Sequence, residues 1–225
     1  MEATKFRHEL KFSINYGDYL VARSRLRAVA SPDENGTGEG RYLVKSLYFD
    51  NADDKALREK VDGVSRREKF RLRYYNNDPT FIRMEKKLKV NGLCHKESAA
   101  VTREDCERLL RGEYEFLLKS GKAVLQELYA KLCFQQLRPR AVIVYDREAY
   151  VYRPGNVRIT FDREVSAALT PSDFLEPDAP LYSRGSGIIM EVKYDEFLPA
   201  VMADAVGVSC RRAAAFSKYA FGRGA

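Results

Sequence analysis

Charged side chains occupy every second position in five stretches whose remaining positions are mostly apolar. In Phe70-Arg71-Leu72-Arg73-Tyr74 the arginines share one face and the apolar residues the other, because strand side chains alternate between faces. The same alternation runs through Arg83, Glu85, Lys87 and Lys89, interleaved with Ile82, Met84 and Leu88. It returns from Arg7 to Lys11, from Arg158 to Asp162 and from Glu191 to Asp195. Apolar faces of this kind build a core, which leaves the charged faces to water or to a charged ligand. With Arg147 added, these faces carry ten cations (Arg7, Lys11, Arg71, Arg73, Arg83, Lys87, Lys89, Arg147, Arg158 and Lys193) against five acids (Glu9, Glu85, Asp162, Glu191 and Asp195). That imbalance suits a polyanion.

The chain has 225 residues, 45% hydrophobic, with a formal net charge of +7. Such a chain supports one large all-β or α+β domain, or two small ones. Its positive excess favours acidic partners such as nucleic acid, nucleotides, polyphosphate or anionic lipid, without choosing among them. No apolar run reaches the roughly 20 residues that span a bilayer, and the N-terminus lacks an apolar signal core. Cys94, Cys106, Cys133 and Cys210 have no paired spacing and read as reduced thiols of a cytoplasmic protein. Cys94-His95 lacks the further ligands a zinc site needs.

Along the chain, a strand over 5–14 leads into a helix over 16–30, whose apolar pattern begins at Tyr19, Leu20 and Val21 and which Ser31-Pro32 stops. A polar loop, a strand over 42–50 and a short helix over 53–61 follow. Strands over 66–76 and 80–90 pair through the Asn76-Asn77-Asp78-Pro79 turn, and Asn91-Gly92 turns into a strand over 94–99. Thr102 with Asp105 caps a helical block that breaks at Gly112 and Ser120-Gly121 and that Pro139 ends. Strands over 141–152, 157–162 and 188–194 and helices over 198–205 and 211–221 complete the reading, with 170–186 as loop. Eight strands without a βαβ rhythm predict an antiparallel sheet with helices packed outside. Such a sheet either lies open to solvent or closes into a barrel around its charge.

The motifs RHELKF (7–12), SLYFD (46–50), REKFRLRYY (67–75), MEKKLK (84–89), VYDREAYV (144–151), VRITFD (157–162), MEVKYD (190–195) and FSKY (216–219) occur in this order. Together they resemble the VTC domain of polyphosphate polymerases, within the wider, CYTH-like group of triphosphate tunnel metalloenzymes. The resemblance implies an α+β fold, with an eight-stranded antiparallel β-barrel forming a tunnel and helices packed outside, as a single domain over 1–225. It implies transfer of the γ-phosphate of ATP to a growing inorganic polyphosphate chain, with Mn²⁺ or Mg²⁺ required. By motif position it implies phosphate-binding roles for Lys11, Arg71, Arg73, Lys87, Arg147 and Arg158, with Lys96 and Tyr145 as further contacts. Glu191 matches the metal-binding glutamate, and Ser217 and Lys218 match residues that cover one tunnel mouth. Relatives that hydrolyse triphosphates begin Glu-x-Glu-x-Lys. Here the first acid is replaced, as Arg7-x-Glu9-x-Lys11, which leans away from hydrolysis. A role at a membrane would require another polypeptide as anchor.

The chemistry needs these residue types. Phosphoryl transfer rests on positioning and charge neutralisation, and forked arginine donors two residues apart, roughly 6.6 Å along a strand, grip neighbouring phosphates. Lysines neutralise as point charges, with Lys89 and Lys193 on the same faces. A divalent metal needs hard oxygen donors, for which Glu191 ranks first, then Glu9 and Glu85. A non-catalytic polyphosphate or inositol-phosphate binding module and a triphosphate hydrolase of the same fold are the alternatives. Nucleic acid is disfavoured because the aromatics alternate onto the face opposite the cations, whereas stacking platforms sit on the binding face. His8 falls on the apolar face and reads as structural.

Overall fold

The computed structural model describes residues 6–37, 39–183, 185, 187–207, 210–213 and 216–224. The chain runs β1 (His8–Ile14), α1 (Tyr16–Val29), β2 (Ser31–Pro32), β3 (Arg41–Asp50), α2 (Lys55–Val61), β4 (Arg66–Tyr75), β5 (Asp78–Val90) and β6 (Leu93–Val101). It continues through α3 (Arg103–Arg111), α4 (Glu115–Leu118), α5 (Ala123–Phe134), β7 (Arg138–Tyr152), β8 (Val157–Ala168), β9 (Leu181–Ser183), β10 (Ile188–Tyr194), α6 (Ala200–Val206) and α7 (Lys218–Arg223).

Eight strands follow the order β1-β10-β8-β7-β3-β4-β5-β6, while β2 pairs with β7 and β9 with β8. Every pairing is antiparallel. Both hairpin turns of the β4–β5–β6 meander use residues that tolerate the left-handed region: Asn76 and Asn77 at φ 53°, then Asn91 at 47° and Gly92 at 89°. Two consecutive positive φ values match the right-handed twist of the flanking strands.

The expected closed barrel is corrected here. The edge strands β1 and β6 meet through one residue pair, Arg7 and Cys94, which exchange two backbone hydrogen bonds of 2.9 Å. No ladder continues from it among the described residues. The sheet is curled and latched at one point, and strand twist separates its edges beyond that contact.

The convex face is apolar, as the alternation predicts. Leu47, Phe49, Phe70, Leu72, Ile82 and Met84 pack against Leu109, Leu117, Leu125, Leu128 and Leu132 of α3–α5. Phe12, Ile159, Phe161, Met190 and Val192 pack against Tyr19, Leu26 and Met202 of α1 and α6. The Asn15 side chain caps α1, and α1 buries Tyr19, Ala22 and Leu26, so Leu20 and Val21, read as part of its apolar pattern, face solvent instead. The Thr102–Asp105 capping box on α3 forms as read. Pro139 does not end the helical block but lies inside β7, at the register shift opposite Phe49, where a missing N–H is tolerated. His8 stacks on Tyr194 at 4.8 Å.

One helix departs from the "packed outside" expectation. α7 docks on the concave face, where Tyr219 joins Tyr48, Ile143, Tyr145 and Ile189 in one buried cluster. It is also shorter than the helix predicted over 211–221; residues 211–213 are not helical, and 214–215 lie outside the described residues. Asp50 ties this region together. Its carboxylate accepts from the backbone N–H groups of Ala56 and Leu57 at the start of α2 and from the Tyr219 hydroxyl (2.8 Å).

A Cβ at Gly222 would stand 1.9 Å from Ile143 Cδ1. Gly222→Ala is therefore expected to destabilise the protein by about 1–3 kcal/mol, measured by urea unfolding, and to loosen α7 first in hydrogen exchange.

Candidate functional site

Strand parity puts Arg67, Lys69, Arg71 and Arg73 of β4 on the concave face. Across the ladder Arg71 faces Glu85 and Lys69 faces Lys87. On the far side, Glu9 and Lys11 of β1 lie opposite Lys193 and Glu191 of β10. Arg147 of β7 lies opposite Asp162 of β8. These walls border a central space of about 370 Å³, part of it open to solvent, lined by eight basic side chains (Lys11, Lys69, Arg71, Arg73, Lys87, Arg147, Lys193, Lys218), two carboxylates (Glu9, Glu191) and the tyrosines Tyr48 and Tyr145.

The cavity opens two ways. A space of about 680 Å³ beside α2 and α7 is lined by Lys60, Arg67, Lys89, Phe216, Ser217 and Tyr219 among others. A second, of about 1090 Å³, is lined by Arg7, Tyr75, Glu85, His95, Lys96 and Arg158 among others. Glu9 and Lys87 line all three spaces, which form one passage open at both ends.

Each lumen acid is tied to cations. Glu191 meets Lys218 at 2.6 Å, Lys193 at 3.0 Å and Lys11 at 3.1 Å. Glu9 meets Lys87 at 2.6 Å and Lys11 at 3.5 Å. Arg147 grips Asp162 with two bonds of 2.6 and 2.8 Å, and Lys218 reaches the same carboxylate at 2.5 Å. Burial alone would raise the Glu191 carboxyl, but Lys11, Lys218, Lys193 and Arg147 hold it well below the usual carboxylate range. Glu85 is held low in the same way, its burial outweighed by Arg71, Arg73 and Lys96.

Two lysines behave oppositely. Burial pushes Lys69 well below its ordinary value of 10.5, and Lys87, Lys11 and Arg71 push it further. Burial brings Lys193 down to about 8 despite Glu191 and Glu9. A phosphate group entering the lumen would favour the charged form of both.

Every site residue read from sequence lines this passage. Lys11, Arg71, Arg73, Lys87, Arg147, Glu191, Lys193, Lys218 and Tyr145 line the centre, Arg158, Lys96 and Glu85 one mouth, and Lys89 and Ser217 the other. Arg158 is held there by Asp33 and by the Tyr42 hydroxyl. Ser217 caps α7. Arg83, counted among the cations, stacks over Phe81 at 4.9 Å.

Three readings change. The glutamates Glu9, Glu85 and Glu191 do not form one cluster. Glu9 and Glu191 share Lys11, whereas Arg71 and Lys96 hold Glu85 apart at 2.7 and 3.2 Å. The aromatics are not all opposite the cations: Tyr48 and Tyr145 face the lumen, and the Tyr145 hydroxyl accepts from Arg73 at 2.9 Å. Lys69 was missed, although its parity with Arg71 and Arg73 marks it.

Among the described residues no group of three or more His, Cys, Asp or Glu side chains comes together as a metal cage. The ionised pair Glu9 and Glu191 supplies hard oxygen donors, enough for a cation completed by substrate phosphates, as Mg²⁺ commonly binds. The donor set fits a metal that arrives with its substrate.

A basic passage through a curled antiparallel sheet defines a tunnel protein of the triphosphate-binding type. The VTC domain matches residues 6–224, and the chain belongs to that family. Solved structures similar to it include a candidate adenylate cyclase from Bacillus halodurans, 13% identical, with 91% of this chain and 88% of that chain covered and a TM-score of 0.49. The PH1819 protein from Pyrococcus horikoshii is 14% identical over 90% of this chain and 85% of that one, at a TM-score of 0.43. A conserved hypothetical protein from Pyrococcus furiosus is 13% identical over 91% and 88%, at 0.45. No curated protein matches the chain.

The depressed Lys69 gives a pH signature. Between its lowered value and 10.5 the unfolded chain holds the proton that the folded lumen sheds, so stability rises with pH across that window. Lys69→Met is expected to flatten this rise in thermal melts across the series. Binding of tripolyphosphate should take up a proton in wild type and less in the variant, read by calorimetry in buffers of different ionisation enthalpy. Identical proton uptake would remove Lys69 from the lumen's electrostatics.

Proposed function

We propose that the chain is a metal-dependent polyphosphate polymerase that transfers the γ-phosphate of ATP to a growing inorganic polyphosphate chain, acting as one tunnel domain over 1–225. The observation that supports this best is the cation-dominated lumen open at both ends. A product that lengthens by one phosphate per turnover needs a second opening. A hydrolase releasing orthophosphate does not.

Arg71, Arg73 and Arg147 fix phosphate oxygens with forked donors, and Lys11, Lys87, Lys193 and Lys218 neutralise charge in the enclosed centre. Lys96 and Arg158 act at one mouth, and Lys89 and Ser217 at the other. Tyr145 holds Arg73 in place through its hydroxyl. A terminal oxygen of the chain attacks the γ-phosphorus, a new P–O bond forms, and the bond to the bridging oxygen breaks with its electron pair leaving on ADP. The attacking phosphate is already ionised, so no general base is needed. Glu191, with Glu9 beside it and Glu85 nearer the mouth, would hold Mn²⁺ or Mg²⁺, which would neutralise charge on the phosphate oxygens. Arg7, in place of a first-strand acid, pairs with Asp195 at 2.8 Å, so it adds no carboxylate for the hydrolase reading. The reading has the enzyme work in the cytoplasm, where ATP is available. No described helix is long and apolar enough to cross a membrane, and a membrane-protein partner would supply any anchor.

Purified protein with ATP and Mn²⁺ tests this: polyphosphate with matching ADP is expected. Orthophosphate without chain would select hydrolysis, and binding without ADP a binding module. Glu191→Gln is expected to lower ADP release by about a hundredfold or more while tripolyphosphate binding persists, since the substitution removes negative charge from the lumen. Unchanged turnover would strip Glu191 of its role.

A further inference from the structure

The lumen's cationic wall continues outward beyond the central cavity. On the β4–β5 pair Arg67 stands directly across from Lys89, and Lys69 directly across from Lys87. Opposed side chains in an antiparallel pair have Cβ atoms about 4.5–5.5 Å apart, and like charges there are destabilising. The Arg67–Lys89 pair is therefore a standing cost, whereas Lys87 is paired with Glu9 at 2.6 Å and burial favours the neutral form of Lys69. Lys60 of α2 lines the same space.

The acids nearby do not relieve this. Glu9 is engaged by Lys87, and Glu68 by Lys131 and Lys86. Among the described residues no carboxylate forms an ion pair with Lys60, Arg67, Lys69 or Lys89. The Arg67 guanidinium donates to the Val64 carbonyl at 2.5 Å and has no acid partner. Lys60, Arg67 and Lys89 are part-exposed, lining a space of about 680 Å³ that opens to solvent beside α2.

We propose that Lys60, Arg67 and Lys89, beyond Lys69 at the rim of the lumen, form a second phosphate-chain site, a vestibule that holds the stretch of a linear inorganic polyphosphate lying outside the lumen. This rests on the reading of the lumen as a phosphate-chain site. The row from Arg73 to Arg67 spans six residue steps, about 20 Å of strand, which is more than three linked phosphates reach. A triphosphate held in the centre leaves the vestibule empty. A chain of tens of phosphates fills both and relieves the Arg67–Lys89 pair. The vestibule thus makes affinity depend on chain length and retains a product that has outgrown the lumen.

Calorimetry on the full chain with tripolyphosphate and with polyphosphate of tens of units tests this. Wild type is expected to bind the long chain more tightly than the short one. Lys60→Ala combined with Arg67→Ala should weaken long-chain binding about tenfold, the loss of two charge-assisted contacts in a partly exposed site, and leave tripolyphosphate binding unchanged. Its long-chain binding should also show a shallower salt dependence. The free variant should melt no lower than wild type, because the charges removed face other cations. A variant that melts lower and loses both ligands alike would overturn the vestibule. So would a wild type that binds both lengths equally per site, or an RNA oligonucleotide that competes as well as the inorganic chain. Failure of wild type to bind tripolyphosphate at all would sink the lumen reading instead.

Discussion

Eight basic side chains share the lumen with two lining carboxylates, and the rest of the protein is arranged around that imbalance. Buried like charges in a low-dielectric space repel strongly, and each has also lost its water. The acids are placed to limit the damage. Glu191 sits among three ammonium groups, Glu9 bridges two, and Asp162 takes a bidentate arginine and a lysine. Lys69 pairs with none of them and is held well below its ordinary value, while burial lowers Lys193 despite its acids. The lumen is thus under electrostatic tension, which on the proposed reading a polyanion would relieve.

A lumen under tension needs a scaffold with stability to spare. Two separate apolar cores on the convex face supply it, one under α3–α5 and one under α1 and α6. Both lie on the opposite face of the strands from the charge, so each strand contributes to stability and to the site with alternate residues. The third cluster differs. It is built on the concave face around α7, and it delivers Lys218 to Glu191 and Asp162. An element that closes one side of the lumen and also places a cation within it links the fold of the C-terminus directly to the chemistry.

Most of this was legible in the sequence because a strand's alternation is a local property. Parity alone assigns Arg71, Arg73, Glu85 and Lys87 to one face, whichever strands pair. What parity does not carry is the identity of the partner. The separation of Glu85 from Glu9 and Glu191 depends on Arg71 holding it across the β4–β5 ladder. Lys69 precedes Arg71 by two, so parity alone places it on the charged face. Tyr145 shows the converse: its parity with Arg147 was visible, but its value to the site lies in a hydroxyl contact to β4. The concave docking of α7 rests on Gly222 meeting Ile143, a contact between distant segments with no periodic signature. Closure of the sheet turns on one pair, Arg7 and Cys94, beyond any local pattern.

The ion pairs of the lumen bear on how the proposed metal would be held where the described residues form no cage. Lys11 lies between Glu9 and Glu191, at 3.5 and 3.1 Å, as a monovalent counter-ion in a space bounded by two carboxylates. On the polymerase reading, phosphate oxygens offer Lys11, Lys87 and Lys193 stronger partners than the carboxylates do, because a triphosphate concentrates several charges on one small ligand. As the lysines turn to phosphate, Glu9 and Glu191 lose their counter-ions while remaining buried, and an uncompensated buried carboxylate is costly. A divalent cation held by Glu9 and Glu191 would then restore the balance of charge. Substrate and metal would bind in mutual dependence, each making the lumen habitable for the other, and the lysines that stabilise the empty protein are the groups that make the exchange possible.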